Sequence, residues 1–352
     1  MKNLNKKIVR DIKQNKMQFF NIFIMVFLGV FVFAGIHSYM DGMQISGDKY
    51  FESNNLQDIW ISGENFSSDD LEKVKDVKNV KNAERILSIR TNLENYDDVE
   101  LEANFIETNE ISKMYVVSGE RYSKDKEGIW LDSYLAKNLN INLGDELTLD
   151  YKDYKIKEKV VGLINVPDHV YSVKDETAIF PTHKDFGYAY LSINEFPQDY
   201  IYDELRNKII EENPMMKAIG KDKITNKDIR RLIKNFDISD YYVFNQIIVD
   251  VDDTSKLDET KRDLENEIDS AIAITDRTSN SSCEAFKSEI EEGGTYSSVF
   301  TFLFLFIAIL SVVTTMNRFV KKQRTQIGTL KALGFKNSKI IRHYVGYGFY
   351  TS

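Results

Sequence analysis

The sequence predicts an α+β membrane protein in which two transmembrane helices flank a large mixed α/β extracellular domain. The first observation behind this prediction is a pair of uncharged, apolar runs at residues 19–39 and 296–316. At a rise of about 1.5 Å per residue, a helix of either length crosses a hydrocarbon core of about 30 Å. The second observation is the alternation of strand-like and helix-like patterns between the two runs. The third is the basic character of the outer flanks beside an acidic middle.

A buried helix of a soluble protein and a signal peptide are the alternatives for these apolar runs. A soluble helix rarely continues for 21 residues without a charge, as residues 19–39 do. After that run comes Ser38-Tyr39-Met40-Asp41, which is too bulky for the small-residue cleavage site of a signal peptide. We therefore predict transmembrane helix 1 over residues 19–39 and transmembrane helix 2 over residues 296–316.

Charge predicts the side of the membrane on which each part lies. Residues 1–18 carry six basic residues and one acid, and residues 317–343 carry eight basic residues and no acid. Both flanks are therefore expected in the cytoplasm, which places the large domain outside the cell. Of the chain's 46 basic and 55 acidic residues, 32 and 54 remain between the two runs, a net charge of −22. Such an acidic domain argues against nucleic acid as a partner.

The segments that join the apolar runs to their surroundings are predicted to be helical. Residues 1–18 form a cytoplasmic amphipathic helix in this prediction, because apolar residues recur at every fourth position among lysines and arginines; a frayed tail is the alternative. Residues 40–55 and 282–295 are predicted as stalks that continue the transmembrane helices outward. The pair Gly293-Gly294 could instead make a hinge at the membrane surface, since adjacent glycines weaken a helix.

The extracellular domain, residues 56–281, has to fold on its hydrophobic core alone. The chain has one cysteine, Cys283, which excludes an intramolecular disulfide. The domain is long enough for one large core or two smaller ones.

A β-α-β unit is predicted near the start of this domain. Residues 58–62 alternate as a strand, and residues 67–70 supply capping side chains for a helix. Residues 83–91 then return to strand character. The same order recurs close to the end of the domain.

The second β-α-β unit has a strand at residues 242–251, a charged helix at residues 256–268 and a closing strand at residues 271–275. Together the two units occupy residues 56–119 and 241–281. We expect them to pair into one sheet backed by two helices, which would bring both ends of the domain together.

Residues 120–240 are predicted as an inserted, mostly β subdomain. Within it, residues 128–149 show a strand, a short helix and a turn into a new strand, and residues 155–163 form the next strand. Residues 202–237 are rich in lysine and acid, and we predict a solvated, helical stretch there.

The search for catalytic and metal-binding motifs gives no candidate enzyme site. The chain has no G-x-x-x-x-G-K-[ST] phosphate loop, so it is not expected to hydrolyse ATP by itself. One cysteine and four scattered histidines do not match a zinc site. Asp168-His169 and His183-Lys184-Asp185 could form a metal or acid–base site, although solvated loop residues are the favoured interpretation. We therefore predict no catalytic residue, no metal site and no bound cofactor.

Two motifs resemble a known family. Residues 324–340 read RTQIGTLKALGFKNSKI, which is similar to the segment that follows the second span in FtsX-like, MacB-type ABC transporter permeases. Residues 131–149 resemble the signature of the MacB-type external domain, and residues 10–16 resemble the family's helix before the first span. Gln326 departs from the family, which usually has an acid at this position.

The resemblance implies that residues 317–343 are a cytoplasmic coupling segment. In the family, a short helix here rests in a groove of a separate cytoplasmic ABC ATPase subunit, which binds the ATP. The alternative is an ordinary helix that its lysines hold on anionic lipid. The residues expected to contact the ATPase are those of the apolar ridge and its neighbours: Ile327, Gly328, Leu330, Lys331, Ala332, Leu333, Gly334 and Phe335.

The function implied by the resemblance is mechanotransmission, in which ATP hydrolysis in the partner moves the extracellular domain in the export or extraction of, or resistance to, peptides, lipoproteins or antimicrobials. A membrane-anchored sensor, or a regulator of cell-wall hydrolases without transport, is the alternative. The lipid bilayer, a homodimer or pseudo-dimer of permease halves, and a two-component sensor kinase are the other partners the resemblance implies. Residues 344–352 turn apolar again, so we expect a third transmembrane helix that begins there and is truncated in this sequence.

Overall fold

The computed structural model describes residues 16–171, 184–212, 223–232 and 244–349. The chain divides into two compact units. A membrane unit combines residues 1–46 with residues 288–352, and a domain unit comprises residues 47–287. Most of the amphipathic helix predicted for residues 1–18 lies outside the described residues.

The described helices and strands follow one another along the chain in an order close to the predicted one. The helices are α1 (Lys16–Ser53), α2 (Ser68–Asp76), α3 (Ser133–Leu139), α4 (Gln198–Glu212), α5 (Asn226–Leu232), α6 (Leu257–Glu267), α7 (Ser281–Lys322), α8 (Arg324–Ala332) and α9 (Asn337–Phe349). The strands are β1 (Ile59–Gly63), β2 (Val80–Leu93), β3 (Glu100–Ile106), β4 (Tyr115–Gly119), β5 (Ile129–Asp132), β6 (Glu146–Tyr151), β7 (Tyr154–Asn165), β8 (Phe186–Ser192), β9 (Gln246–Val251) and β10 (Ala271–Asp276).

Helices α1 and α7 are long and apolar enough to cross a membrane, and only 6% of the most apolar part of each is buried. Their large apolar side chains, such as Phe27, Phe31 and Phe302, face outward. Exposed phenylalanines on the uncharged stretches of these helices favour a hydrocarbon environment over water. The predicted pair of transmembrane helices is therefore confirmed as two helices of suitable length and composition.

Within the membrane unit, α1 and α7 pack against each other in opposite directions through small residues. A Cβ added to Gly29 would lie 3.1 Å from the Cβ of Phe304, and one added to Gly293 would lie 2.3 Å from the Cε of Met40. Between these contacts the Ser297 hydroxyl donates a hydrogen bond of 3.3 Å to the carbonyl of residue 33. Such close contacts are typical of helix pairs in membranes. The structure shows no hinge at residues 293–294, because α7 is continuous there.

In the domain unit, the two predicted β-α-β units form one sheet, but their strands alternate instead of lying side by side. Strand β1 pairs antiparallel with both β10 and β9, and β9 also pairs antiparallel with β2. The local order is therefore β10-β1-β9-β2. Each unit contributes one of the two inner strands, so neither unit can complete its part of the sheet without the other.

The helices of both units begin and pack as their sequences predict. Ser67 caps α2 in a reciprocal capping box, since its hydroxyl accepts from the backbone N–H of Asp70 at 3.1 Å and the Asp70 carboxylate accepts from the N–H of Ser67 at 2.9 Å. Val74 on α2 and Leu264 on α6 are fully buried in the core. These buried side chains hold both helices against the sheet.

The strands between the two units extend this sheet. Strand β3 pairs antiparallel with β2 and parallel with β8, and β8 continues to β5, β7 and β4. Strand β6 pairs with both β7 and β2. Consequently the boundary predicted at residue 120 does not coincide with a break in the sheet, and β4, which the prediction placed in the first unit, pairs with β7.

The lysine- and acid-rich stretch at residues 202–237 is helical where the structure describes it, but the prediction that it is solvated is wrong for that part. Leu205 on α4 and Ile229 on α5 are buried in the main core. Every third or fourth residue of these helices is apolar, and this spacing is enough to pack a helix whose other faces are charged. Residues 213–222 and 233–243 lie outside the described residues.

A buried carboxyl group, Glu195, lies beside the start of β5. Its Oε1 atom accepts a hydrogen bond of 3.1 Å from the backbone N–H of Gly128, and its Oε2 atom is buried without a partner among the described residues. Burial, and after it the charge of Glu158, raises the pKa of Glu195 to about 8. The folded domain therefore favours the protonated form of this side chain.

We expect Glu195→Gln to change the pH dependence of domain stability. Because the folded domain holds the Glu195 proton more tightly than the unfolded chain does, the free energy of unfolding falls as pH rises from 4.5 to about 8. The neutral glutamine does not titrate, so at the upper end of this range the variant should be more stable than the wild type by an amount on the order of 2 kcal/mol. Urea unfolding followed by tryptophan fluorescence measures this, since both tryptophans, Trp60 and Trp130, lie in the domain.

The matched control is Glu146→Gln, which removes an exposed carboxylate that pairs with Lys157 at 2.8 Å. This control variant should show the same change in the free energy of unfolding between pH 4.5 and about 8 as the wild type does. If the stability of Glu195→Gln depends on pH as that of the wild type does, Glu195 does not have a raised pKa in the folded domain.

Candidate functional site

The segment after α7 contains the residues predicted to couple to an ATPase, and it is built as a short, sharply ended helix. Helix α8 ends at a left-handed turn, where Gly334 has φ +82°. The backbone N–H of Phe335 donates to the carbonyl of Leu330 at 3.1 Å, and that of Gly334 donates to the carbonyl of Lys331 at 3.0 Å. These two bonds form a Schellman motif, for which glycine is the favoured residue at the left-handed position.

Part of the predicted apolar ridge of α8 is packed against the protein, and the other part is exposed. Ile327 and Leu330 pack against Phe319 at the end of α7 and against Ile340 on α9. By contrast, Leu333 is 70% exposed and Phe335 is 40% exposed. Ile327 and Leu330 therefore attach α8 to its own neighbours, and Leu333 and Phe335 lie open.

The other predicted contact residues lie on the open side of this segment. Gly328, Lys331 and Ala332 are exposed. A Cβ added to Gly328 would meet no atom within 4 Å. Residues 317–349 contain no acid, so the exposed end of α8 is both apolar and positively charged.

The second functional region is the base of the domain, where the chain enters after α1 and leaves before α7. Arg277, directly after β10, reaches three groups at the start of β1. Its Nε donates to the carbonyl of Gln57 at 3.0 Å and its Nη2 to the carbonyl of Leu56 at 2.5 Å. Nη2 also lies 3.0 Å from the Oδ1 atom of Asp58.

Asp58 completes this connection from inside the domain. Its side chain is 4% exposed, and its Oδ2 atom accepts a hydrogen bond of 3.0 Å from the backbone N–H of Val251 at the end of β9. Burial raises the pKa of Asp58, whereas the Val251 hydrogen bond and the charge of Arg277 lower it. One carboxylate thus joins β1, β9 and, through Arg277, the residues after β10. Sequence analysis did not identify this pair, because neither residue belongs to a recognisable motif.

The portions of α1 and α7 that belong to the domain unit are also in close contact. A Cβ added to Gly47 would lie 2.3 Å from the Cζ of Phe286. The rings of Phe51 and Phe286 meet edge to face, with centroids 5.4 Å apart. The Ser282 hydroxyl, one residue into α7, accepts a hydrogen bond of 2.8 Å from the backbone N–H of Tyr171. Both helices are therefore fixed to each other at the base of the domain.

The residues predicted as a possible acid–base or metal site do not form one within the described chain. The Asp168 carboxylate accepts a hydrogen bond of 3.0 Å from the Gln57 side chain, and the His169 ring stacks on Tyr188 with centroids 3.6 Å apart. Asp168 is buried, so the favoured interpretation of it as a solvated loop residue is wrong. His183 lies outside the described residues. Among those described, no group of three or more His, Cys, Asp or Glu side chains is placed to hold a metal ion.

We expect Arg277→Ala to destabilise the domain by about 2 kcal/mol, since it removes two hydrogen bonds from a charged donor and leaves the buried Asp58 carboxylate without its cation. Urea unfolding followed by tryptophan fluorescence measures this change, because Trp60 lies two residues after Asp58 in β1. Arg262→Ala, which removes an exposed arginine on α6, is the control and should change stability by less than about 0.5 kcal/mol. If both substitutions lower the free energy of unfolding by the same amount, the contacts of Arg277 do not stabilise the base of the domain.

Comparison with known proteins gives two matches to family models that together span most of the chain. The model of the MacB-like periplasmic core domain matches residues 22–267, and that of the FtsX-like permease C-terminal region matches residues 298–352. No curated protein matches the chain.

Solved structures of low sequence identity also resemble the chain. The extracellular domain of the noncanonic ABC-type transporter YknZ from Gram-positive bacteria is 10% identical, with 62% of this chain and 99% of that chain covered and a TM-score of 0.35. The periplasmic region of MacB from Actinobacillus actinomycetemcomitans is also 10% identical, with 68% and 95% covered and a TM-score of 0.35. At these TM-scores the assignment of the family rests on the family models.

Proposed function

We propose, from the premise that this chain belongs to the MacB-type, FtsX-like permeases of ABC transporters, that it couples ATP hydrolysis in a partner subunit to movement of its extracellular domain. Membership of this family implies a cytoplasmic ATPase partner and a position in the membrane. In the proposal the ATPase subunit binds the ATP, so the permease needs no cofactor of its own. The N-terminus lies in the cytoplasm, as the positive charge of residues 1–18 favours.

The observation that carries this proposal is the exposed, acid-free end of α8. Leu333 and Phe335 present apolar surface on either side of the turn at Gly334, and Lys331 and Lys336 lie beside them. Small exposed apolar anchors with a charged rim are typical of protein contact surfaces. In our proposal the ATPase subunit covers Leu333, Phe335 and the open face at Gly328.

Movement of α8 can reach the domain because α8 is attached to a long, continuous helix. Ile327 and Leu330 pack on Phe319, which belongs to α7. Helix α7 has 42 residues and is therefore about 60 Å long. It begins four residues after Arg277, at the base of the domain. A displacement or rotation of α7 would thus act on the connection between β10 and β1.

The remaining parts of the proposal concern the assembly and its substrate. Two permease copies, or two permease halves, would face one ATPase dimer, and a two-component sensor kinase is a further partner in this scheme. The substrates would be peptides, lipoproteins or antimicrobials that are exported, extracted or resisted.

We expect Leu333→Asp to prevent assembly with the ATPase subunit. A carboxylate at a surface that becomes buried costs at least about 3 kcal/mol, which corresponds to a loss of more than about a hundredfold in affinity. The measurement is co-purification of the ATPase with the tagged permease, together with the ATPase activity of the complex. Because Leu333 is largely exposed, the substitution should leave the unfolding of the domain unchanged.

Asn337→Asp is the matched control. It adds the same charge four residues further on, at an exposed position in the first turn of α9, where an acid favours the helix. This variant should keep the ATPase bound. Equal retention of the ATPase by both variants would exclude the end of α8 as the contact.

A further inference from the structure

A pocket of about 330 Å³ opens at the base of the domain. Its volume is within the range of small-molecule sites. The wall combines the last turn of α1, the end of β5 with the start of α3, the end of β7 with the residues that follow it, and the start of β8. Its aromatic and polar side chains are Tyr50, Asp132, Tyr134, Asn165, His169 and Tyr188. Neither the coupling segment nor the connection made by Arg277 uses this pocket.

Aromatic rings form much of the wall and are held in fixed positions. The Tyr188 ring stacks on His169 at 3.6 Å, and it meets Phe186 edge to face at 5.3 Å. The ring of Tyr50 meets Tyr115 in the same manner at 6.1 Å. Rings that their neighbours hold in place offer preformed faces to a ligand, and aromatic faces attract organic cations.

The pocket has one carboxylate in its wall and another close to it, because Asp168 lies 3.7 Å from the His169 ring. Among the described residues that line the pocket there is no lysine or arginine, whereas Asp132 is one of them. The carboxylate of Asp168 lies close behind. Burial, and after it the charge of Asp168, raises the pKa of the Tyr50 hydroxyl well above its usual range and that of the Cys283 thiol to about 11. At both groups the charge of Asp168 adds to the larger effect of burial, and at Cys283 the charge of Arg277 opposes it.

Three buried oxygen atoms in this region have no hydrogen-bond partner among the described residues. They are the hydroxyl of Tyr50, the Oδ1 atom of Asp168 and the Oε1 atom of Gln57. Each can accept a hydrogen bond, and an unsatisfied buried polar atom costs about 1–3 kcal/mol. Such atoms are uncommon. Of these three, the Tyr50 hydroxyl belongs to a residue that lines the pocket, and the other two belong to residues outside its wall.

We propose that this pocket binds an organic cation that combines an aromatic or apolar body with one guanidinium or ammonium group. The body would lie against the rings of Tyr50, Tyr134 and Tyr188. The cation would point toward the acidic side of the pocket and donate to the Tyr50 hydroxyl. A cationic side chain of a peptide has this chemistry, as does a small amine.

The binding itself does not rest on the proposed coupling to an ATPase, although its consequence does. Tyr50 belongs to the last turn of α1, so an occupant of the pocket would contact the helix that enters the domain. If the coupling proposal fails and the pocket proposal holds, the ligand will bind to the permease without changing the activity of an ATPase.

The experiment compares two compounds of nearly equal shape, Nα-benzoyl-arginine amide and Nα-benzoyl-citrulline amide. The first carries a guanidinium group, and the second carries a neutral urea group in its place. Isothermal titration calorimetry of the full chain in phosphatidylcholine nanodiscs measures both dissociation constants. We expect the arginine compound to bind at least about tenfold more tightly, as a charged hydrogen bond to a desolvated site requires.

Two variants test the residues and one variant serves as a control. Tyr50→Phe removes the unpartnered hydroxyl and should weaken binding of the arginine compound by about threefold to tenfold. Asp168→Asn removes the charge behind the pocket and should bring the two compounds to within about threefold of each other. Glu146→Gln removes an exposed charge of the same sign elsewhere in the domain, and it should change neither dissociation constant by more than about twofold.

Each possible outcome decides the question. Equal binding of the two compounds to the wild type, or no binding of either, overturns the proposal. Equal effects of Asp168→Asn and Glu146→Gln also overturn it, because they would show attraction to an acidic domain in general. If Asp168→Asn fails to fold, as tryptophan fluorescence would show, Tyr50→Phe and the pair of compounds still give the answer.

Discussion

The ion pair between Arg277 and Asp58 connects the two ends of the domain. It joins the first strand to the residues that follow the last strand, and through the Val251 hydrogen bond it includes β9 as well. The chain therefore enters and leaves the domain at one place. Since α1 ends at Ser53 and α7 begins at Ser281, both apolar helices connect to this place through a few residues.

The alternation of strands in the sheet makes this connection sensitive to the two helices. In the order β10-β1-β9-β2, strand β1 is hydrogen-bonded on both edges. Its two neighbours, β9 and β10, come from the other end of the domain. A shift of α1 along α7 would pull β1 against both neighbours, which resist as a hydrogen-bonded ladder. Small shifts at packed interfaces are carried over distance because such interfaces have few arrangements of similar energy. A domain with this topology is suited to receive movement from a helix pair.

Patterns along the sequence predict where the helices and strands lie, but they do not predict which strands pair in the sheet. Alternation of period two shows which face of β1 is buried, as Ile61 is, but it does not show which strand lies beside β1. The uncharged length of α1 and α7 predicts a span in any context. Arg277 could not be singled out, because two of its partners are backbone carbonyls, which are the same at every residue. The many charges of residues 202–237 favour a solvated stretch in the sequence, because they obscure the apolar positions Leu205 and Ile229.

The division of the apolar ridge on α8 suits the coupling role that we propose for this helix. A helix that was only flexibly connected to α7 could bind a partner. It would not transmit the partner's movement, because it could move without moving α7. Packing of Ile327 and Leu330 on Phe319 removes that freedom and commits part of the apolar surface to the protein's own α7. What remains for a partner has to lie beyond the packed turn, and the left-handed residue Gly334 ends the helix just there. One part of this short helix is thus packed on α7, and its end is exposed to a partner. For this reason Leu333, and not Leu330, is the residue to test.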